Sequence, residues 1–138
     1  MKKVFFRVAI VVALVSLGAC ASPRIVSPKN ASNKLDGVWR KVTPGRTFDI
    51  TKFMSEGRFL WAWTPHGSPT TITSSAGGTF TFDGQVHTET IEFSTANNSA
   101  LVGQQAVVVI RFEGNNRFYT SGILAGRIPL NEVWERIE

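Results

Sequence analysis

The regular spacing of turn signals beyond Lys34 is the feature that most constrains what this chain can fold into. Gly, Pro and Asn recur about every 8 to 12 residues, and the runs between them alternate apolar with polar residues. No window has a sustained helical apolar period, so the pattern indicates an all-β sandwich or barrel. The predicted strands are Gly37 to Val42, Thr47 to Met54, Arg58 to Thr64, Gly78 to Asp83, Gln85 to Ser94, Gln105 to Phe112, Arg117 to Ile123 and Ile128 to Ile137.

The predicted turns hold Gly or Asn where a tight hairpin needs a positive φ. Eight strands joined mainly by hairpins form a meander, which either leaves two edges exposed or closes on itself. The sequence therefore predicts one antiparallel up-and-down β-barrel of about eight strands, with room inside for one small ligand. Two longer connections, Pro65 to Ala76 and Thr95 to Gly103, are either rim segments or loose surface loops. The turns are Pro44-Gly45, Glu56-Gly57, Asp83-Gly84, Gly114-Asn115-Asn116 and Ala125-Gly126.

The first twenty residues have the pattern of an export signal. Met1 to Arg7 is basic, and the apolar run Val8 to Leu17 is shorter than the roughly 20 residues that span a bilayer as a helix. Leu17-Gly18-Ala19-Cys20 then resembles a bacterial lipobox. That resemblance implies cleavage before Cys20 and lipid on its thiol, which makes the membrane a partner. In lipoproteins of this kind, an Asp directly after the lipidated Cys retains the protein in the inner membrane. This chain has Ala21 at that position, so the resemblance favours the outer membrane of the bacterial envelope over the inner one.

Three segments follow from these patterns. Residues 1–19 are predicted to be a helical lipoprotein signal peptide and residues 20–33 a flexible lipid-anchored tether, since Ala21 to Asn33 is mostly small or polar. Residues 34–138 are predicted to be the barrel. An ordinary secretory signal cleaved near Ala19 or Ala21 is the alternative.

Composition excludes several classes of function. The chain has 138 residues, enough for one domain, and 43% of them are apolar, which argues against disorder. A lone Cys and two His make a disulfide framework, a metal site or a metal cofactor improbable, and no cofactor is predicted. Without the basic residues of the signal, 12 basic residues stand against 10 acidic ones, so no nucleic-acid partner is expected.

Four short motifs, in order along the chain, carry a family resemblance. Leu35-Asp36-Gly37-Val38-Trp39 resembles the L-x-G-x-W that opens the first strand of lipocalins and related calycin barrels. The other motifs resemble those of bacterial lipocalin-like domains in small secreted and lipid-anchored proteins. The resemblance implies a lipocalin-like barrel with a general binding role, closed at one end by Trp39 packed against Arg136. These other motifs are Gly77-Gly78-Thr79-Phe80 with Val86 to Phe93, Leu101-Val102-Gly103, and Glu132 to Arg136.

Alternation along two strands places ionisable residues beside large apolar ones on the predicted inner face. A buried charge needs a partner, so Glu89 or Glu132 is expected to pair with Arg136. A third strand, Arg58 to Thr64, has one wholly aromatic face, which is also predicted to point inward. The inward residues of the first two strands are His87, Glu89, Ile91 and Phe93, and Glu132, Trp134 and Arg136.

Two interpretations of this interior stay open. The polar groups either form a structural network in a barrel filled by its own side chains, or they meet the polar head of a ligand in an apolar pocket. The predicted ligand-binding residues are His87, Glu89, Trp61, Phe59, Phe80, Phe82, Phe93, Glu132 and Trp134.

Three hypotheses of function follow. The first is an envelope lipoprotein that binds or carries a small hydrophobic or amphipathic molecule. The second is a structural or interaction lipoprotein with a filled barrel, whose partner is an envelope protein. The third is an isomerase or hydrolase that uses His87 and Glu89. No nucleophile motif or second catalytic carboxylate accompanies that pair in the sequence, so the chain is predicted not to be an enzyme and no catalytic residue is assigned.

Overall fold

The computed structural model of the chain describes residues 34–68 and 70–138. It is a closed antiparallel β-barrel in which each strand pairs with the next one along the chain. The all-β, eight-stranded, up-and-down barrel predicted from the sequence is therefore confirmed. The strands are β1 (Gly37–Lys41), β2 (Phe48–Ser55), β3 (Arg58–Pro65), β4 (Ser74–Phe82), β5 (Val86–Ser94), β6 (Gln105–Glu113), β7 (Arg117–Leu124) and β8 (Ile128–Arg136).

The barrel closes between its first and last strands. Across this seam Trp39 pairs with Arg136, and Lys41 pairs with Trp134. The Ile137 N–H donates a further hydrogen bond to the Val38 carbonyl at 2.8 Å. Closure leaves no unpaired strand edge in the described part of the chain, whereas an open sheet would offer two edges to other chains.

All five predicted turns connect neighbouring strands. Glu56 and Gly57 have φ angles of 49° and 78°, as in the two-residue turn whose twist matches that of the flanking strands. In the next hairpin, Asp83 Oδ1 accepts hydrogen bonds from the N–H groups of Val86 (2.7 Å) and Gln85 (2.8 Å), which lower the pKa of the Asp83 carboxyl. Local turn chemistry thus supports the meander.

The first of the two long connections is shorter than predicted, and the second contains a short helix. β4 begins at Ser74, inside the predicted loop, because its pairing with β3 continues to that end: Ser75 pairs with Ala62 and Ser74 with Trp63. The second connection contains a 3₁₀ helix, Ala96–Leu101, and Leu101 packs against the core.

A β-bulge between β4 and β5 reverses the orientation expected for Phe93. Gly77 pairs with Phe93 but Gly78 pairs with Ile91, so Glu92 is an extra residue on β5. One extra residue inverts the alternation of side chains. Ile91 stays inside, while Phe93 is 49% exposed on the outer surface and its ring lies against Gly77. The predicted inward orientation of Phe93 is wrong.

The predicted signal peptide, tether and lipidated Cys20 lie in residues 1–33, outside the described residues. No helix in the part of the chain that the structure describes has the length and apolar character needed to cross a membrane.

Candidate functional site

One end of the barrel interior, where β1 begins and β8 ends, is sealed; we call it the closed end. Trp39 is completely buried there, and its indole N–H donates to the Leu35 carbonyl at 2.7 Å. The Arg136 guanidinium lies 4.2 Å from the Trp39 ring centre and donates to the carbonyls of Asp36 (2.5 Å) and Lys34 (3.0 Å). A cation on an aromatic face and several charge-assisted hydrogen bonds hold this end together.

A row of edge-on ring contacts runs around the closed half of the interior, with centroid separations of 4.6 to 6.4 Å. Phe59 and Phe80 are buried in the same half. Three of the predicted ligand-binding residues, Phe59, Phe80 and Phe82, therefore fill the closed half. The row consists of Trp39, Phe118, Phe112, Phe82 and His87.

The other half of the interior contains a cavity of about 120 Å³ that opens at the opposite end, where β1 ends and β8 begins; we call this end the mouth. Trp61 and Trp63 form part of its wall, with ring centres 6.0 Å apart, and Trp63 reaches the rim. The remaining lining residues are apolar except for two lysines and two glutamates: Lys41, Ile50, Lys52, Glu89, Ile91, Ala106, Leu124, Leu130, Glu132 and Trp134.

The charged groups of the cavity wall form two ion pairs. Lys52 Nζ lies 2.6 Å from Glu89 Oε1, and Lys41 Nζ lies 2.7 Å from Glu132 Oε1. The Trp134 indole N–H donates to Glu132 Oε2 at 3.0 Å. Such pairing makes burial of charges tolerable, because each carboxylate keeps a cation after losing water, and Glu132 keeps the Trp134 indole as a second donor.

The pairing predicted between these glutamates and Arg136 is wrong. Glu132 precedes Arg136 by four residues on β8, which is about 13 Å along an extended strand. Arg136 lies at the closed end, where its guanidinium donates hydrogen bonds to backbone carbonyls and lies on the Trp39 ring. Glu132, in contrast, lies on the cavity wall.

A smaller void of about 20 Å³ lies below the cavity, toward the closed end, and shares Lys52, Glu89 and Glu132 with its wall. His87 and Thr120 also line this void. No described residue hydrogen-bonds to His87 Nε2 or to Thr120 Oγ1, although both atoms are buried.

His87 is uncharged at neutral pH. The pKa of its imidazole is lowered from 6.5 to about 4, mainly by burial. The charge of Glu89 acts against this shift and raises the pKa, whereas the charge of Lys52 lowers it. His87 Nε2 is 3.8 Å from Glu89 Oε1, which is beyond hydrogen-bond distance. The two side chains thus lie close together without the direct hydrogen bond that would orient an imidazole as a general base.

A second polar cluster lies on the rim of the mouth. His66 Nδ1 is 3.0 Å from Asp49 Oδ2, and Arg46 Nε is 2.5 Å from Asp49 Oδ1. The hydrogen bond with His66, together with Arg46, lowers the pKa of the Asp49 carboxyl. The side chain of His66 is exposed, whereas those of Arg46 and Asp49 are 27% and 24% exposed, and the cluster ties the β1–β2 connection to the end of β3.

The structure brings together four of the predicted ligand-binding residues around the cavity, namely Trp61, Glu89, Glu132 and Trp134. His87 lines the void below it, and Phe93 lies outside the barrel. Sequence reasoning missed Lys41, Lys52 and Thr120. Lys41 lies two positions after Trp39 on β1, so strand alternation applied to this strand from the buried Trp39 would have placed Lys41 on the inner face.

Within the described residues, no group of three or more His, Cys, Asp or Glu side chains is placed to hold a metal ion. No protein-family model matches the chain, and no curated protein is significantly similar to it. The fold and the geometry of the interior are therefore the basis for any conclusion about function.

Proposed function

We propose that the protein binds one small, partly apolar molecule in the cavity at the mouth of the barrel. The observation that carries this proposal is a cavity of about 120 Å³ in the barrel interior, opening to solvent at one end. An apolar cavity of roughly 150 Å³ engineered in another protein stays dry and binds benzene, so this volume suits a ligand with one ring or a short chain. Pockets for drug-sized ligands start at about 300 Å³.

The wall supports the same ligand class. Two tryptophans, Trp61 and Trp134, and several aliphatic side chains offer dispersion contacts to an apolar body. The paired lysines and glutamates add a few polar positions, which is the usual composition of a small-molecule site. We propose the lipocalin-like relationship on the same grounds: a closed eight-stranded barrel, Trp39 at one end and an interior pocket at the other.

Titration of the full chain with toluene, followed by amide NMR shifts, tests the proposal. Saturable shifts are expected at Ile91, Leu124 and Leu130, with a Kd of about 1 mM or tighter. Ala106→Leu places extra volume in the cavity and should weaken toluene binding at least tenfold. The matched control is Val107→Leu, because Val107 is the next residue on β6 and points outward. Absence of saturable shifts, or equal binding by both variants, contradicts the proposal.

We also propose that the chain is a lipoprotein of the bacterial outer membrane, anchored through Cys20. The Leu17 to Cys20 motif after a basic and an apolar segment supports this, as does Ala21 following the cysteine. Growth with an alkyne analogue of palmitate should label the protein, and Cys20→Ser should abolish the label and release the protein from outer-membrane fractions. Label retained by Cys20→Ser contradicts the anchor.

Docking of an envelope protein on the outer wall is a second candidate function. Its support is a cluster of exposed apolar side chains on β6 and β7, where Val107 pairs with Ile123 and Val109 lies beside them. Val107→Lys should remove an in-cell cross-link made through this wall while toluene binding stays unchanged. A cross-link that survives the substitution contradicts docking at this surface.

A further inference from the structure

Two unpartnered polar atoms face the void below the cavity. His87 and Thr120 are 3% and 8% exposed, and neither His87 Nε2 nor Thr120 Oγ1 has a hydrogen-bond partner among the described residues. Unpartnered buried polar atoms are costly, and native proteins keep few of them without a purpose. The two residues lie on different strands, β5 and β7, and both line the void.

The void has the size of one polar group. Its volume of about 20 Å³ exceeds the roughly 10 to 15 Å³ that accommodates a single water-sized group. A neutral imidazole nitrogen donates or accepts according to its tautomer, and a threonine hydroxyl does both. A single hydroxyl in the void could therefore donate to one of these atoms and accept from the other.

The charges around the cavity and the void balance. Lys52 pairs with Glu89 and Lys41 pairs with Glu132, and burial keeps the pKa of His87 at about 4, so that its imidazole carries no charge at pH 7. A carboxylate or an ammonium group entering this space would add a charge without a counter-ion, at a substantial desolvation cost.

We propose that the void receives the uncharged hydrogen-bonding end of the ligand, so that the ligand class is a small molecule with an apolar body and a hydroxyl or similar neutral group at its tip. His87 and Thr120 are the specificity-determining residues of this subsite. The apolar body occupies the cavity above, against Trp61 and Trp134. This inference rests on the proposed binding function and adds to it the chemistry of the ligand.

A series of benzyl compounds tests the inference on the full chain by NMR titration and calorimetry. Toluene, benzyl alcohol, benzoate and benzylamine share one ring and differ in the group that reaches the void. Benzyl alcohol should bind about fivefold more tightly than toluene, as one net hydrogen bond predicts, and the two charged compounds more weakly than toluene. The imidazole ¹⁵Nε2 resonance of His87 should shift with benzyl alcohol and not with toluene.

Thr120→Val removes the hydroxyl at nearly constant shape and should abolish the preference for benzyl alcohol while toluene still binds. Thr88→Val is the matched control, because Thr88 lies between His87 and Glu89 with its side chain on the opposite face of β5. Equal affinity of the unmodified protein for toluene and benzyl alcohol, or tightest binding of benzoate, overturns the inference and leaves the proposed function standing. Failure of toluene and every other member to bind contradicts both.

Discussion

The closed end and the mouth of the barrel differ in what their interior side chains contact. At the closed end Trp39 is completely buried and contacts Phe118 and Arg136. At the mouth Trp63 is 38% exposed, and the interior beside it is a cavity. The barrel thus has a filled half, in which aromatic rings pack against one another, and a hollow half, in which ion pairs line the cavity wall. Aromatic side chains are therefore expected to contribute more to the free energy of unfolding at the closed end than at the mouth.

Removing one indole from each half should give the largest difference. Trp39→Ala should lower the free energy of unfolding by about 4 kcal/mol, because it deletes a fully buried ring and leaves a cavity. Trp63→Ala, at the rim, should cost about 1 kcal/mol. Urea denaturation of both variants measures this, and equal losses would mean that the two ends contribute alike.

Deleting a cation inside the barrel should have the next largest effect. Lys52→Met leaves Glu89 buried without its counter-ion and should cost about 3 kcal/mol at pH 7. Arg58→Met is the control, because Arg58 pairs with Glu92 on the outer surface and is 60% exposed there; it should cost less than about 1 kcal/mol. Adding Glu89→Gln to Lys52→Met should restore part of the loss. If the two single variants lose equal stability, burial of the inner pair has no energetic consequence.

Acid should weaken the fold through His87. The folded protein takes up this proton only near pH 4, whereas the unfolded chain takes it up near pH 6.5, so between these values the unfolded state binds more protons. Stability is therefore lost as the pH falls, by roughly 2 kcal/mol between neutral pH and pH 5. Denaturation of His87→Gln over this range should show a flatter dependence than the unmodified protein, although Glu89 and Glu132 still face the same void. A steep slope in His87→Gln would assign the acid sensitivity to other groups.

Most of the architecture could be predicted from the sequence, because strand alternation and turn residues are local signals. Glu89, Glu132 and Trp134 could be placed inside for the same reason. The partner of Glu89 could not, since Lys52 is on β2 and reaches Glu89 on β5 across the interior rather than from an adjacent strand. The extra residue at Glu92 could not be predicted either, because it depends on how β4 and β5 are aligned. This extra residue places Phe93 on the outside of the barrel.

The seam between β1 and β8 bears on how the barrel folds. Trp39 and Arg136 pair across it although roughly 100 residues separate them in the chain, so this contact carries a far larger loop-closure cost than any hairpin. The hairpins from β1 onward join neighbouring segments of the chain, but the cylinder cannot close until β8 has paired with β1. Until then β1 and β8 each keep one unpaired edge, and the folding chain passes through its period of greatest exposure to aggregation and proteolysis.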